Sequence, residues 1–275
     1  MTSARGVKAF DKTGCSRNTR VVNDLSYWLL VAAAYDFVET YSSLHNLQGY
    51  RVKLVVFDFD GTLVDSRTLI LESHRVIFGE FSLARPSPQD SLALIGRSLE
   101  LVLAQFAGPE APIDEMVKAY GRVLPQLHAD PRFAERPFDG IGDLLRDLMQ
   151  APNTAPGIAT GHTLAAVGPA LEGLGWRSIF TTVQTADMAP SKPHPGMLLQ
   201  ALAATGVKAE NAVFIGDTTY DIAMARAAKL PSIGVGWGYH APERLVAAGA
   251  REMAYDVRQL RTHIVNEDLG ARSGS

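Results

Sequence analysis

The sequence has one cysteine, Cys15, in 275 residues, so no intrachain disulfide can form, and the usage fits a reducing compartment. Long apolar runs are also missing. The longest, Leu25 to Ala34, is roughly half of the ~20 residues a membrane helix needs. The same run makes a poor export signal, because the basic stretch before it is long and is interrupted by Asp11 and Asp24. A cytoplasmic location is therefore expected. Neither sign of charge dominates: 26 basic and 29 acidic residues leave a formal net charge of -3, which provides no long-range field for nucleic acid or an anionic membrane. Repeats and low-complexity tracts are absent as well. The remaining chain is 47% hydrophobic and long enough for one large domain, or for a core plus a smaller module.

The pattern along the chain divides it. Residues 1–50 start polar and basic, then carry an apolar stretch from Tyr27 to Tyr41 that suits one amphipathic helix. From Lys53 a continuous apolar run, Leu54 to Phe57, reads as a strand buried on both faces. Similar runs recur at Pro156–Ala159, Ile179–Val183, Ala212–Ile215 and Ser232–Val235. They alternate with helical patterns at Thr163–Leu174, His194–Thr205 and Tyr220–Lys229. Such alternation predicts an α/β fold with a doubly wound parallel sheet and right-handed crossovers. Between Ser66 and Arg136 only helical periodicity is seen, at Leu69–Phe81, Leu99–Phe106 and Ile113–Leu127, which predicts a helical insertion. The expected organisation is an extension over 1–50, a core over 51–65 and 138–262, an inserted helical cap over 66–137 and a tail over 263–275.

Ligands of doubly wound sheets bind beyond the carboxyl ends of the strands, so the residues just after each strand are the candidates for chemistry. After the first strand stands Asp58-Phe59-Asp60-Gly61-Thr62, where backbone alternation points Asp58 and Asp60 to one side. Their mutual repulsion calls for a shared cation or for one carboxyl to hold a proton, unless the segment is merely a turn before a helix. Gly216-Asp217-Thr218-Thr219-Tyr220-Asp221 follows a later strand, with Asp221 in a first helical turn where the helix dipole favours a carboxylate. Carboxylates gathered at one sheet edge make an oxygen site suited to Mg2+. Zinc is not expected, since His162, His194 and His240 are scattered and read as loop or surface residues. Thr160-Gly161 offers a hydroxyl and backbone N–H groups to an anion, and Lys192, in Ser191-Lys192-Pro193-His194-Pro195, offers a cation. Taken alone, Thr160 would serve as a helix N-cap and Lys192 as a solvated loop charge.

In this order the four pieces resemble the haloacid dehalogenase superfamily of phosphatases over about Lys53 to Leu260. DFDGTLVDS at 58–66, SKPHP at 191–195, GDTTYD at 216–221 and GVGWGYH at 234–240 are similar to its phosphoglycolate phosphatase group. The resemblance implies that Asp58 attacks phosphorus and that Asp60 is the acid and base. It implies magnesium on Asp58, the Asp60 carbonyl and Asp217, with Asp221 holding a coordinated water or Lys192. Gly61, Thr62, Thr160, Gly161 and Lys192 are then the phosphate-binding residues, and the substrate is a small phosphorylated metabolite. One departure is His162, where a lysine often stands in relatives. Asp60 speaks against a hydrolytic dehalogenase, and an arginine in Leu94-Ile95-Gly96-Arg97-Ser98-Leu99 speaks against a Schiff-base phosphonate hydrolase. A sugar-phosphate mutase and a catalytically silent binding protein remain as rivals. Specificity is expected from the insertion, with Arg97 at a loop tip meeting a substrate carboxylate.

Overall fold

The computed structural model describes residues 53–266. The expected extension helix around Tyr27 to Tyr41, and most of the expected tail, lie outside these residues. Six parallel strands form the main sheet in the order β5-β4-β1-β6-β7-β8: β1 (Lys53–Phe57), β4 (Thr154–Ala159), β5 (Thr182–Gln184), β6 (Ala212–Gly216), β7 (Ser232–Val235) and β8 (Glu252–Ala254). β1 is central, with Phe57 in register with Ile158 of β4 and with Ile215 of β6. Alternation along β1 divides the core. Val55 and Phe57 join the cluster under α5 (Ile141–Gln150), α6 (Leu164–Gly173) and α10 (Val257–Asn266). Leu54 and Val56 join the opposite one, under α7 (Gly196–Thr205) and α8 (Thr219–Ala227). A sheet covered on both faces explains why its strands read as unbroken apolar runs.

Four helices fill the stretch after the first motif: α1 (Arg67–Glu80), α2 (Pro88–Ala93), α3 (Leu99–Ala107) and α4 (Ile113–His128). α1, α3 and α4 share a separate apolar cluster. α1 contributes Leu69, Ile77 and Phe78, and α4 contributes Met116, Ala119, Tyr120 and Leu124 at helical spacing. At the two ends of this layer, β2 (Val64–Asp65) pairs antiparallel with β3 (Arg136–Pro137), so the chain leaves and returns through one short ribbon.

Some expectations shift. The strand placed at Ile179–Val183 is β5 at Thr182–Gln184, because Ile179 lies in a turn that seats Phe180 in the core. β2, β3, β8, α2, α5, α9 (Pro242–Ala248) and α10 are not among the expected elements. α5 carries a clear signal, with Ile141, Leu144, Leu145 and Leu148 spaced as one buried helix face. β8 is a three-residue edge strand with too short a pattern to read.

Candidate active site

The strand tips bring the motif residues together, as the topology demands. Asp58, Lys192, Asp217 and Asp221 are each at most 1% exposed, and Thr160 is fully buried. Asp58 continues β1, its N–H donating to the Ile215 carbonyl, and Phe59 N–H donates to Asp58 Oδ1 at 2.7 Å. Lys192 Nζ lies 2.6 Å from Asp58 Oδ1 and 2.8 Å from Asp221 Oδ1. Far from being a solvated loop charge, Lys192 is a buried counter-ion shared by two carboxylates, the arrangement that makes a buried cation tolerable. The other oxygen of Asp221 accepts from the N–H and Oγ1 of Thr218, closing a capping box at the start of α8. Asp58 Oδ2 is buried with no hydrogen-bond partner.

Asp217 is held by Thr62 Oγ1, which donates to its Oδ1 at 2.9 Å, and by Tyr239 N–H, which donates to its Oδ2 at 2.8 Å. Gly61 donates its own N–H to the Val64 carbonyl, has φ +79°, and faces Asp217 so closely that a Cβ there would collide with the carboxylate. Gly61 and Thr62 thus shape the turn and secure Asp217, and the Gly61 N–H is not open to an anion.

Asp58, Asp217 and Asp221 can each offer an oxygen such that all three lie within 4.8 Å of one another. Burial, then the charge of Asp221, raises the Asp58 carboxyl well above its usual range, and the same two causes push Asp217 to about 7. Three buried carboxylates opposed by one lysine leave an excess of negative charge, and Asp58 Oδ2 lacks a partner. The donor set, all oxygen, fits a hard divalent cation.

The second carboxylate of the motif behaves differently. Asp60 Oδ1 accepts from Ser66 Oγ at 2.5 Å, and Asp60 Oδ2 lies 2.7 Å from His162 Nε2. Burial alone would raise Asp60, but the facing His162 and the Ser66 hydrogen bond hold its carboxyl below the ordinary range. Burial likewise works against a charge on His162, yet Asp60 outweighs it and lifts the imidazole to about 9. Glu135 belongs to the same group, its carboxylate within 4.8 Å of the Asp60 and His162 ligand atoms. His162 and His240 both lie in loops, as expected, but neither is an exposed surface residue. His162 is drawn inward by Asp60. His240, 3% exposed, accepts from Thr219 N–H at Nδ1 and donates from Nε2 to the Ala93 carbonyl, bridging the sheet edge to the helical layer. Sequence reasoning missed these roles because the partners are distant in the chain.

The loop between α2 and α3 closes over the edge. A Cβ on Gly161 would stand 2.6 Å from the Arg97 carbonyl oxygen, so this approach requires glycine in the second motif. Ser98 N–H donates to Ser191 Oγ at 2.7 Å, tying the loop to the Lys192 segment. The Arg97 guanidinium bonds Gln105 Oε1 at 3.1 Å and lies 5.6 Å over the Tyr220 ring, while its Nε is buried without a partner.

This fold and site define a class: residues 55–235 match the model of the haloacid dehalogenase-like hydrolases, and the chain belongs to that family. Its relatives include phosphatases. It is 34% identical over 200 residues to "Probable phosphatase IndB" of Dickeya dadantii, covering 71% of this chain and 86% of that protein. It is 31% identical over 193 residues to the phosphoglycolate phosphatase of Agrobacterium fabrum, covering 68% and 81%. Among solved structures, a predicted phosphatase from Clostridium acetobutylicum superposes with TM-score 0.69 at 25% identity, over 78% of this chain and 99% of that one.

Proposed function

We propose that this chain is a magnesium-dependent phosphomonoesterase that works through an aspartyl phosphate on Asp58. The observation that carries the reading is the state of Asp58: one oxygen is fixed by Lys192 and the Phe59 N–H, and the other is buried without a protein partner, which leaves the carboxylate oriented at the sheet edge with an oxygen uncommitted. A divalent cation would be held by Asp58, Asp217 and the Asp60 carbonyl, and would supply charge neutralisation to the phosphoryl oxygens. Asp221, with one oxygen on Lys192 and the other on Thr218, keeps the lysine in place. Thr160, Gly161 and Lys192 bind and orient the phosphoryl group.

In the first half-reaction an Asp58 oxygen bonds to phosphorus as the ester P–O bond breaks, and the proton that the Asp60–His162 pair carries on the imidazole passes through Asp60 to the departing oxygen. The contact with His162 keeps that proton within reach, which makes His162 a positioning residue for Asp60. In the second half-reaction Asp60 takes a proton from water as the water oxygen bonds to phosphorus, the bond to Asp58 breaks, and phosphate leaves. The helices between β2 and β3 form a cap, with Arg97 at its rim as a specificity residue. A cytoplasmic setting belongs to this reading and is supported by the single cysteine. Among the described residues no helix is long and apolar enough to cross a membrane.

The substrate is a small organic phosphate, and the relatives' names make phosphoglycolate the first to test. The test is steady-state kcat/KM over a panel of phosphomonoesters with Mg2+ and after chelation. Turnover should require the metal, and Asp58→Asn should lower kcat at least about 10³-fold, or about 4 kcal/mol of barrier, with folding retained. Metal-independent turnover, or a variant with a large share of wild-type activity, would contradict the reading.

A further inference from the structure

A cavity of about 420 Å³ opens beside Asp60 and His162 and runs between α1, α3, α4 and the start of α6. Its size falls within the roughly 300–1,000 Å³ of sites that enclose drug-sized ligands, far more than a two-carbon glycolate would fill. Ile70, Ile95, Val102, Val117, Leu124 and Ala166 make its walls largely apolar. Its charged groups suit a carboxylate poorly. Its two cations are committed, His162 to Asp60 and the Arg97 guanidinium to Gln105 and the Tyr220 ring, while Glu100 stands at the wall to repel an anion. Deeper in, its polar groups are neutral: burial pushes His74 down to about 4, so it is uncharged near neutrality, and the Tyr120 hydroxyl is held in its protonated form by burial.

From this geometry we infer that the enzyme's preferred substrates are phosphate monoesters of bulky, uncharged, predominantly apolar alcohols. Small carboxylate-bearing phosphates such as phosphoglycolate are poor ones. The inference rests on the phosphomonoesterase reading and assigns the leaving group of that same site. The phosphoryl group sits at the sheet edge, and the alcohol extends past Asp60 into the apolar cavity. Burial of the alcohol then contributes to transition-state binding in proportion to its apolar area. A short alcohol leaves the cavity to water, and an anionic one meets Glu100 with His162 and Arg97 already paired.

The experiment compares kcat/KM for 2-phenylethyl phosphate, ethyl phosphate and 2-phosphoglycolate in the wild-type protein with Mg2+. The first two alcohols have similar acidity, so their ratio reports the pocket and not the ease of bond breaking. A preference of about tenfold or more for the phenylethyl ester is expected, the scale of burying an aromatic group, with phosphoglycolate below it. Val117→Trp and, on the facing wall, Ala166→Leu narrow the cavity, and each should reduce the phenylethyl-to-ethyl ratio several-fold. If Val117→Trp does not fold, Ala166→Leu alone decides. A wild-type preference for phosphoglycolate, or a ratio untouched by narrowing, would overturn the inference while leaving the phosphatase reading intact. Turnover of none of the three would overturn both.

Discussion

The sheet edge and the helical layer solve opposite problems. At the edge, buried charges are packed against one another, with Lys192 between Asp58 and Asp221 and two of the carboxyls displaced well upward by burial and repulsion. In the layer, α1, α3 and α4 bury an apolar cluster and, with α6, enclose a cavity whose walls are largely apolar. Generic phosphoryl chemistry needs the same groups for every ester, whereas the alcohol must be recognised by shape. In the proposed reading the two tasks are divided between regions that meet at Asp60, His162 and the 96–98 loop.

The comparison can be broken most forcefully at the edge. Lys192→Met keeps the apolar stem but leaves Asp58 and Asp221 unpaired in the interior. It should cost about 3–5 kcal/mol of stability and lower kcat at least about 10²-fold. Thermal unfolding without metal and steady-state kinetics check this. A stable, active variant would show that the buried charges do not depend on the lysine.

How legible each region was follows from the same division. The edge was readable because its groups lie within a few residues of strand ends: DFDGT, the Thr160 turn, Lys192 and GDTTYD each carry a local pattern, and the sheet order brings them together. The Thr218–Asp221 capping box is also local. His162 gave no such signal, since its partner Asp60 lies about a hundred residues away and only packing joins them. His240 bridging to Ala93, and the Gly161 approach to Arg97, are long-range for the same reason. Three helices of the layer, α1, α3 and α4, were readable from their periodicity; the six-residue α2 was too short to show one, and the cavity was not readable because its volume depends on how side chains from four elements fit together.

A smaller effect sharpens the comparison within the layer. His74 is buried, with its Nδ1 3.0 Å from Ser91 Oγ, and burial lowers its pKa from the ordinary 6.5 to about 4. The folded-state value is depressed, so the unfolded chain binds the extra proton between these values. Stability is then lost as pH falls from about 6.5 to 4 and levels off below that, by roughly 3 kcal/mol in all. His74→Gln should flatten this part of the melting-temperature profile without altering the pH 7 value by as much. An unchanged acid slope would assign the sensitivity elsewhere.

The smallest expected effect lies at the junction. His162→Gln should slow alkyl phosphates about tenfold, because Asp60 loses the group that positions it as acid and base. Phosphorylation by p-nitrophenyl phosphate, whose leaving group needs no proton, should change much less in a pre-steady-state burst. Equal losses in both would mean that His162 acts through packing alone.

The central claim is the covalent bond to Asp58, and Asp60→Asn offers the most direct view of it, since that variant should form the aspartyl phosphate from an activated aryl phosphate and hydrolyse it slowly. Rapid acid quench followed by peptide mass analysis should find one phosphoryl group on the peptide containing Asp58, absent when Asp58 is also changed to Asn. A phosphoryl group on another residue, or turnover by Asp60→Asn with no modified peptide at any quench time, would contradict the account.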